Sequence, residues 1–260
     1  WSVSLSGKPK VASLKEKRFG GEGKTDVYIL AVNDAGIPSE VKISVKKANA
    51  DFVENKISAV RAQNLFGDKW EEILEPFLNY FADRLMNEDD YDPIEVNRKG
   101  ERTIRIGYRL DIMMKKSGNL SIRGNFSRDT VREVWSGENL EPNKRDSYVQ
   151  GTRIADSGIA NNILVGDIND YPDAQSVIDN MQSIDDYLDS GHGDLWLTIR
   201  AVNLRDVGKF DKARPLAIKY QYWIEDGVII YSVDHSDPLI VNSTQHRDTI
   251  PVEVEELAFS

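Results

Sequence analysis

The stretch from Gly20 to Lys47, GGEGKTDVYILAVNDAGIPSEVKISVKK, constrains the fold of this chain more than any other. Residues 25–32 are mostly β-branched, aliphatic or aromatic, which favours a strand, and residues 33–38 are rich in turn formers. Residues 39–47 alternate between polar and apolar side chains, as expected of a half-buried strand. The pattern therefore predicts a β-hairpin with one apolar face and one polar face.

Two segments of the second strand combine a polar residue with a lysine two positions later: Glu40 with Lys42, and Ser44 with Lys46. With a turn centred near residues 35 and 36, residue i lies opposite residue 71−i. Asp26 then faces residues 44–46, whereas Glu40 faces residue 31, about 15 Å further along the strand. Oxygen ligands lie within about 2.5 Å of a bound divalent ion. This register places Ser44 and Lys46, and not Glu40, beside Asp26.

The arrangement GGEGKTDV, a turn and KISVKK resembles the PD-(D/E)xK nuclease superfamily, and more narrowly its type II restriction endonucleases. In that family, an Asp at the start of one strand binds Mg²⁺, usually with a second acid, and a Lys on the next strand positions the attacking water or stabilises charge. The resemblance implies that Asp26 is a metal ligand and Lys46 the catalytic lysine. This chain departs from the pattern at Thr25, where the family often has Pro, and at Ser44, where it usually has Glu or Asp.

Some restriction enzymes also carry Ser at the position of Ser44. In some of them, the second acid comes from the helix that follows the strand with the catalytic lysine. We expect Asn49 to cap a helix that begins near Ala50, with Glu54 on its first turn. The resemblance therefore implies that Asp26 and Glu54 hold Mg²⁺ and that Asp26, Ser44, Lys46 and Glu54 form the catalytic set. The implied activity is hydrolysis of phosphodiester bonds in double-stranded DNA.

The remaining sequence predicts a mixed α/β (α+β) fold. Apolar periodicity predicts helices over residues 50–67, 68–87, 127–135 and 173–190, and strands over much of the region after residue 94, including a hairpin at 216–235 and a last strand at 251–259. The resemblance implies a restriction-endonuclease-like nuclease core at residues 1–93, with a central mixed sheet flanked by helices. Residues 94–260 form a β-rich remainder, either DNA-binding or continuing the same domain.

The net charge of −10 opposes binding to nucleic acid, but the charge is distributed in blocks. Residues 1–65 carry net +4 and residues 95–153 net +5. These blocks either belong to a mixed solvated surface or line one groove. The candidate DNA-binding residues are Lys24, Lys47, Arg102, Arg105 and Arg109, where the arginines either contact phosphates or belong to an exposed sheet face.

The chain contains no cysteine, and its three histidines are scattered, which disfavours a multi-histidine metal site. His192, in SGHGD, is interpreted as a turn residue.

No apolar run approaches the roughly 18 residues that span a bilayer, so we expect no membrane partner and a cytoplasmic location. The family resemblance suggests a homodimer, because palindromic DNA calls for two symmetric sites. The alternative is a non-enzymatic binding or structural protein, such as a phage or assembly component, which the net charge and the absent acid at Ser44 favour.

Overall fold

The computed structural model describes residues 2–5, 23–32, 35–48, 50–88, 91–97, 99–149, 152–206, 210 and 213–260. Its contacts divide the chain into two compact units. Unit 1 comprises Trp1–Val53 and Asn125–Asp194, and unit 2 comprises Glu54–Gly124 and Leu195–Ser260. Each unit is therefore assembled from two separate stretches of sequence.

The secondary structure of the described residues contains both strands and helices. The strands are β1 Ser2–Leu5, β2 Val27–Val32, β3 Pro38–Lys46, β4 Phe52–Glu54, β5 Ile94–Val96, β6 Arg102–Met113, β7 Ser121–Arg123, β8 Ser147–Val149, β9 Thr152–Ile154, β10 Asn162–Val165, β11 Gln182–Ser183, β12 Trp196–Arg205, β13 Ile218–Glu225 and β14 Val228–Asp234. The helices are α1 Ala59–Phe66, α2 Trp70–Asn87, α3 Arg128–Ser136, α4 Pro142–Arg145, α5 Ala174–Asn180, α6 Ile184–Tyr187, α7 Ser243–Arg247 and α8 Val252–Phe259. The predicted mixed α/β fold is confirmed.

Unit 1 contains a mixed sheet with the strand order β1-β2-β3-β10-β11. Neighbouring strands are antiparallel except β3 and β10, which run parallel. One face packs into an apolar core of Val27, Ile29, Ile43, Leu164 and Val177. Because side chains alternate along a strand, the polar residues of β3 lie on the opposite face.

Unit 2 contains an antiparallel sheet with β6 near its centre, in the order β14-β13-β6-β12-β7, and β5 also pairs with β6. Helices α7 and α8 contact β6, and α2 contacts β14. The predicted hairpin in this unit is confirmed as β13 and β14. Its turn consists of Asp226 and Gly227, both with positive φ angles, as a two-residue hairpin turn requires.

Three predicted elements differ from the structure. Helix α1 begins at Ala59 rather than near residue 50, because the hydroxyl of Ser58 caps it by accepting from the Arg61 amide at 3.2 Å. The predicted helix over 173–190 is split into α5 and α6 by β11, which pairs with β10. The predicted last strand is helix α8, whose buried residues Val254 and Ala258 stand four positions apart on one helical face.

The two units replace the predicted division at residue 93. Strand β5, which follows that position, pairs with β6, and α2, which precedes it, packs against β14 in the same unit. Residues 54–124 therefore stay together. The predicted nuclease core at 1–93 instead contributes its first 53 residues to unit 1, which is completed by residues 125–194. Among the described helices, none has both the length and the apolarity to cross a lipid bilayer.

Candidate functional site

The hairpin formed by β2 and β3 pairs as predicted, displaced by one residue. Val27 pairs with Ile43 and Val32 with Pro38, so residue i lies opposite 70−i rather than 71−i. The Asp26 amide donates to the carbonyl oxygen of Ile43 at 2.8 Å, and its carboxylate accepts from the Val45 amide at 2.8 Å. The carboxylate of Asp26 is thereby fixed beside the segment from Ser44 to Lys46.

Ser44 lies on the polar face of β3, opposite the face on which Ile43 enters the core. Its side chain is buried, and its hydroxyl oxygen has no hydrogen-bond partner among the described residues. A buried hydroxyl without a hydrogen-bond partner destabilises the folded state by roughly 1–3 kcal/mol. Such a group in a folded protein calls for an explanation, and a functional role is one of the usual ones.

Lys46 is the last residue of β3 and lies on the same face as Ser44, two positions further along. Its partner across the parallel ladder is Val165 on β10, and its carbonyl oxygen accepts from the Gly166 amide at 2.8 Å. The backbone at Lys46 is therefore held on the β10 side, while the side chain is half-buried at the strand end. Asp26, Ser44 and Lys46 thus share one end of the hairpin.

Glu40 lies elsewhere on the same strand. It pairs with Leu30, four positions from Ser44, which corresponds to about 13 Å along the strand. Its carboxylate accepts a hydrogen bond from the Tyr28 hydroxyl and lies 3.7 Å from the Lys42 ammonium group. The predicted separation of Glu40 from Asp26 is confirmed.

The hydrogen bond between Tyr28 and Glu40 contributes to the free energy of unfolding, and this contribution should decrease at alkaline pH. Burial, together with the bond to Glu40, raises the pKa of Tyr28 to about 12, above the ordinary value near 10. The neutral phenol is favoured in the fold, so this contribution is complete below about pH 10 and is lost as the pH rises towards 12. We expect Tyr28→Phe to lower the free energy of unfolding by about 1–2 kcal/mol at pH 8 and by less at pH 11, measured by urea titration. A difference that does not change with pH would contradict this assignment.

Glu54 is not on a helix. It is the last residue of β4 and belongs to unit 2, whereas Asp26 belongs to unit 1. Its carboxylate pairs with the Arg61 guanidinium at 2.6 Å, and both side chains are largely buried. Asn49, the predicted cap of that helix, lies outside the described residues. The structure therefore shows Glu54 in a buried ion pair.

Because Glu54 and Arg61 form a buried pair, removing one partner leaves the other charge uncompensated. We expect Glu54→Ala to lower the free energy of unfolding by about 3 kcal/mol. Arg61→Ala should do the same, and the double variant Glu54→Leu with Arg61→Leu should recover most of the loss. Chemical denaturation of the wild type and these three variants measures the losses and the recovery. If Glu54→Ala leaves stability unchanged but abolishes Mg²⁺ binding, the carboxylate is a ligand rather than a structural partner.

The glycine-rich lead-in ends in a close contact between two chain segments. The amide groups of Lys24 and Thr25 donate to the carbonyl oxygen of Gly158 at 2.7 and 3.2 Å. A Cβ atom at Gly23 would lie 2.8 Å from the Cα atom of Gly158. Gly23 therefore allows the two chain segments to pack closely, and the Lys24 amide takes part in the contact through its bond to Gly158. These bonds fix the backbone immediately before Asp26.

The predicted DNA-binding arginines lie in unit 2 on β6, which is buried on both faces over most of its length. Arg105 donates to Glu95 at 2.5 Å and to the Tyr108 hydroxyl at 2.8 Å. Although burial disfavours its charged form, the bond to Glu95 raises the pKa of Arg105. Arg109 pairs with Asp111 at 3.2 Å. The segment is thus not an exposed sheet face, because β6 has strands on both sides and helices against it.

The other three candidates are closer to solvent. Arg102 is exposed at the start of β6, where its guanidinium group reaches the carbonyl oxygen of Ala258 at 3.4 Å. Lys47 is exposed immediately after β3. Lys24 is half-buried, and its ammonium group donates to the carbonyl oxygen of Val53 at 3.2 Å. Lys24 and Lys47 belong to unit 1, which also holds Asp26 and Lys46.

The oxygen atoms at this end of the hairpin fit a magnesium ion in their chemistry. Within the described residues, no group of three or more His, Asp or Glu side chains is arranged to hold a metal. Mg²⁺ does not require such a group, because it usually binds one or two carboxylates and keeps several waters. The Asp26 carboxylate supplies an oxygen ligand of the type that Mg²⁺ prefers.

Comparisons with protein-family models, with curated proteins and with solved structures found no match for this chain.

Proposed function

We propose that the chain is a Mg²⁺-dependent endonuclease of the PD-(D/E)xK type that hydrolyses phosphodiester bonds of double-stranded DNA, as a restriction enzyme does. The observation that carries the proposal is that the Asp26 carboxylate accepts a hydrogen bond from the amide of Val45, the residue that separates Ser44 from Lys46 in sequence. A mixed sheet with helices in unit 1 supports it, since a restriction-type core is expected to have this composition.

The proposed roles follow from the side chains at the hairpin end. Asp26, an exposed carboxylate with a fixed backbone, is the proposed magnesium ligand. A bound Mg²⁺ would lower the pKa of a water molecule and offset charge on the phosphate. Lys46 is a cation on the same face of β3 as Ser44, and it would place a positive charge near the negative charge that develops on the phosphate during cleavage. Ser44 is buried there and has a hydroxyl that is able to accept or donate a hydrogen bond.

Glu54 is retained as the second proposed acid only through the family resemblance, because its carboxylate is paired with Arg61. Among the proposed phosphate contacts, Lys24 and Lys47 lie in the same unit as Asp26, and Arg102 is the exposed arginine of β6. Arg105 and Arg109 are already paired with Glu95 and Asp111. A homodimer and a cytoplasmic location complete the proposal.

The direct test incubates the purified protein with a broad panel of phage, plasmid and genomic duplex DNA, with Mg²⁺ or with EDTA. We expect discrete fragments in Mg²⁺ and intact DNA in EDTA. Calcium in place of magnesium should support DNA binding in a gel-shift assay with little cleavage. A folded protein that neither cuts nor binds any DNA of the panel would overturn the nuclease proposal and favour the non-enzymatic alternative.

A further inference from the structure

A pocket of about 240 Å³, open to solvent and called the cavity below, lies on unit 1. Its walls consist of aliphatic, aromatic and carboxamide side chains, and none of them is an acid, a lysine or an arginine: Ile163, Val165, Asn180, Gln182, Tyr187 and His192. A cavity of this size is smaller than typical drug-binding sites. It suits one small, uncharged, partly apolar group.

The strand register places this cavity beside the candidate catalytic strand. Ile163 on β10 pairs with Ser44 on β3, and Gln182 on β11 pairs with Ile163. In the next row, Val165 pairs with Lys46. Paired residues point to the same face, and neighbouring strands are about 4.8 Å apart. The cavity wall therefore begins one strand away from Ser44 and Lys46, on their face of the sheet.

Two rings of the cavity wall are stacked on each other. The Tyr187 and His192 rings are 4.2 Å apart and inclined by 10°. The edge of Trp135 packs against Tyr187 at 5.2 Å, and the Nδ1 atom of His192 lies 3.0 Å from the Ser190 hydroxyl. The turn Leu188–His192, in which Gly191 has a positive φ angle of 95°, carries the imidazole to this position. The prediction that His192 lies in a turn is confirmed, and its ring is held there by stacking on Tyr187.

The wall chemistry matches a nucleobase. A base is planar and uncharged, so it stacks on aromatic side chains and packs against aliphatic ones. Its edge carries neighbouring donors and acceptors, which the carboxamides of Asn and Gln complement. Asn180 and Gln182 line the cavity. The amide nitrogen of Asn180 donates to the carbonyl oxygen of Ser176 at 2.8 Å, so its carboxamide offers a base edge the oxygen atom. Enzymes that take a base out of the duplex hold it by this combination of stacking and edge contacts.

Nearby acidic residues are partly offset by arginines. Asp185 and Asp189, on α6 and the turn after it, both pair with Arg128, at 3.4 and 2.6 Å. Arg132 also pairs with Asp185 at 3.3 Å. These ion pairs offset two of the nine aspartates in residues 154–198, a segment that holds no lysine or arginine of its own.

We propose that this cavity receives one unpaired base of the DNA substrate, adjacent to the phosphate that Asp26 and Lys46 act on. The inference rests on the proposed nuclease function for the identity of the substrate. The cavity would then contribute to sequence preference through Gln182 and Asn180, while His192 provides the stacking surface.

The test uses the whole protein and the four natural deoxynucleosides, with deoxyribose as the blank, titrated by saturation-transfer NMR. We expect millimolar binding of at least one nucleoside to the wild type and none of deoxyribose. The variants His192→Ala and Gln182→Leu should weaken that binding at least fivefold. The matched control is Gln175→Leu, an exposed residue of α5 that lies outside the cavity. All variants are checked for unchanged thermal unfolding.

The outcomes separate this inference from the nuclease proposal. If no nucleoside binds to the wild type, or if both cavity variants bind as tightly as the wild type, the base pocket is overturned, whether or not DNA is cut. If nucleosides bind and the cavity variants weaken them, the pocket is supported, even when no DNA of the panel is cut. If the protein then neither cuts nor binds any DNA of the panel, the nuclease proposal fails while the base pocket stands.

Discussion

Replacing Lys46 by alanine is expected to lower the rate of DNA cleavage by about 10²–10³-fold, the usual cost of removing one preorganised charge or donor from an active site. Lys46 ends β3 on the face that holds Ser44, and Asp26 is fixed at the same end of the hairpin. The change should leave DNA binding within severalfold of the wild type, because other cations contribute to phosphate contacts. Single-turnover cleavage with enzyme in excess measures the chemical step without product release.

Lys42 provides the matched control, since it lies on the same face of the same strand. Its ammonium group donates to the carbonyl oxygen of Asp156 at 3.0 Å and lies 3.7 Å from Glu40. We expect Lys42→Ala to reduce stability slightly and to leave the cleavage rate close to that of the wild type. Asp26→Asn keeps an acceptor for the Val45 amide but removes the charge, so it should abolish cleavage without unfolding the hairpin. Equal losses for Lys42→Ala and Lys46→Ala would show that the register-based choice is wrong.

The hairpin at residues 25–47 was predictable because its determinants are local. Alternation of polar and apolar residues specifies which face is buried, and a short turn fixes the pairing to within one residue. That register was enough to place Asp26 beside Ser44 and to separate it from Glu40. Local signals also predicted α2 and α3, whose apolar periodicity is strong.

The rest of the site depends on partners distant in sequence. Gly158 accepts from Lys24, and the Asn161 side chain accepts from the Lys42 amide and donates to the Glu40 carbonyl oxygen. Nothing in the sequence near residue 160 indicates these contacts. Glu54 illustrates the opposite error, because a helical pattern and a plausible cap predicted a helix where the chain forms β4. The parallel pairing of β10 with β3, which brings the cavity next to Lys46, also has no local signal.

A large loss of stability is expected from adding one methyl group at Gly158. Its amide donates to the carbonyl oxygen of Arg145 at 2.6 Å, and its carbonyl oxygen accepts from Lys24 and Thr25. A Cβ atom there would overlap the carbonyl oxygen of Lys144 and lie 2.9 Å from that of Arg145. Both atoms belong to the backbone, so no flexible side chain is able to move away. We expect Gly158→Ala to lower the free energy of unfolding by about 3 kcal/mol.

Gly158→Ala should also lower the rate of cleavage, because Gly158 is hydrogen-bonded to Lys24 and Thr25, which directly precede Asp26. A displaced backbone at Lys24 and Thr25 would misplace the Asp26 carboxylate, and displacements of about 1 Å reduce rates by roughly 10²-fold. Gly193→Ala is the control, since its Cβ atom would meet nothing closer than 3.9 Å in the same unit. Calorimetry should show a melting temperature roughly 6–12 °C lower for Gly158→Ala and little change for Gly193→Ala. If both variants melt like the wild type, the contact between Gly158 and the 144–145 backbone neither constrains the fold nor positions Asp26.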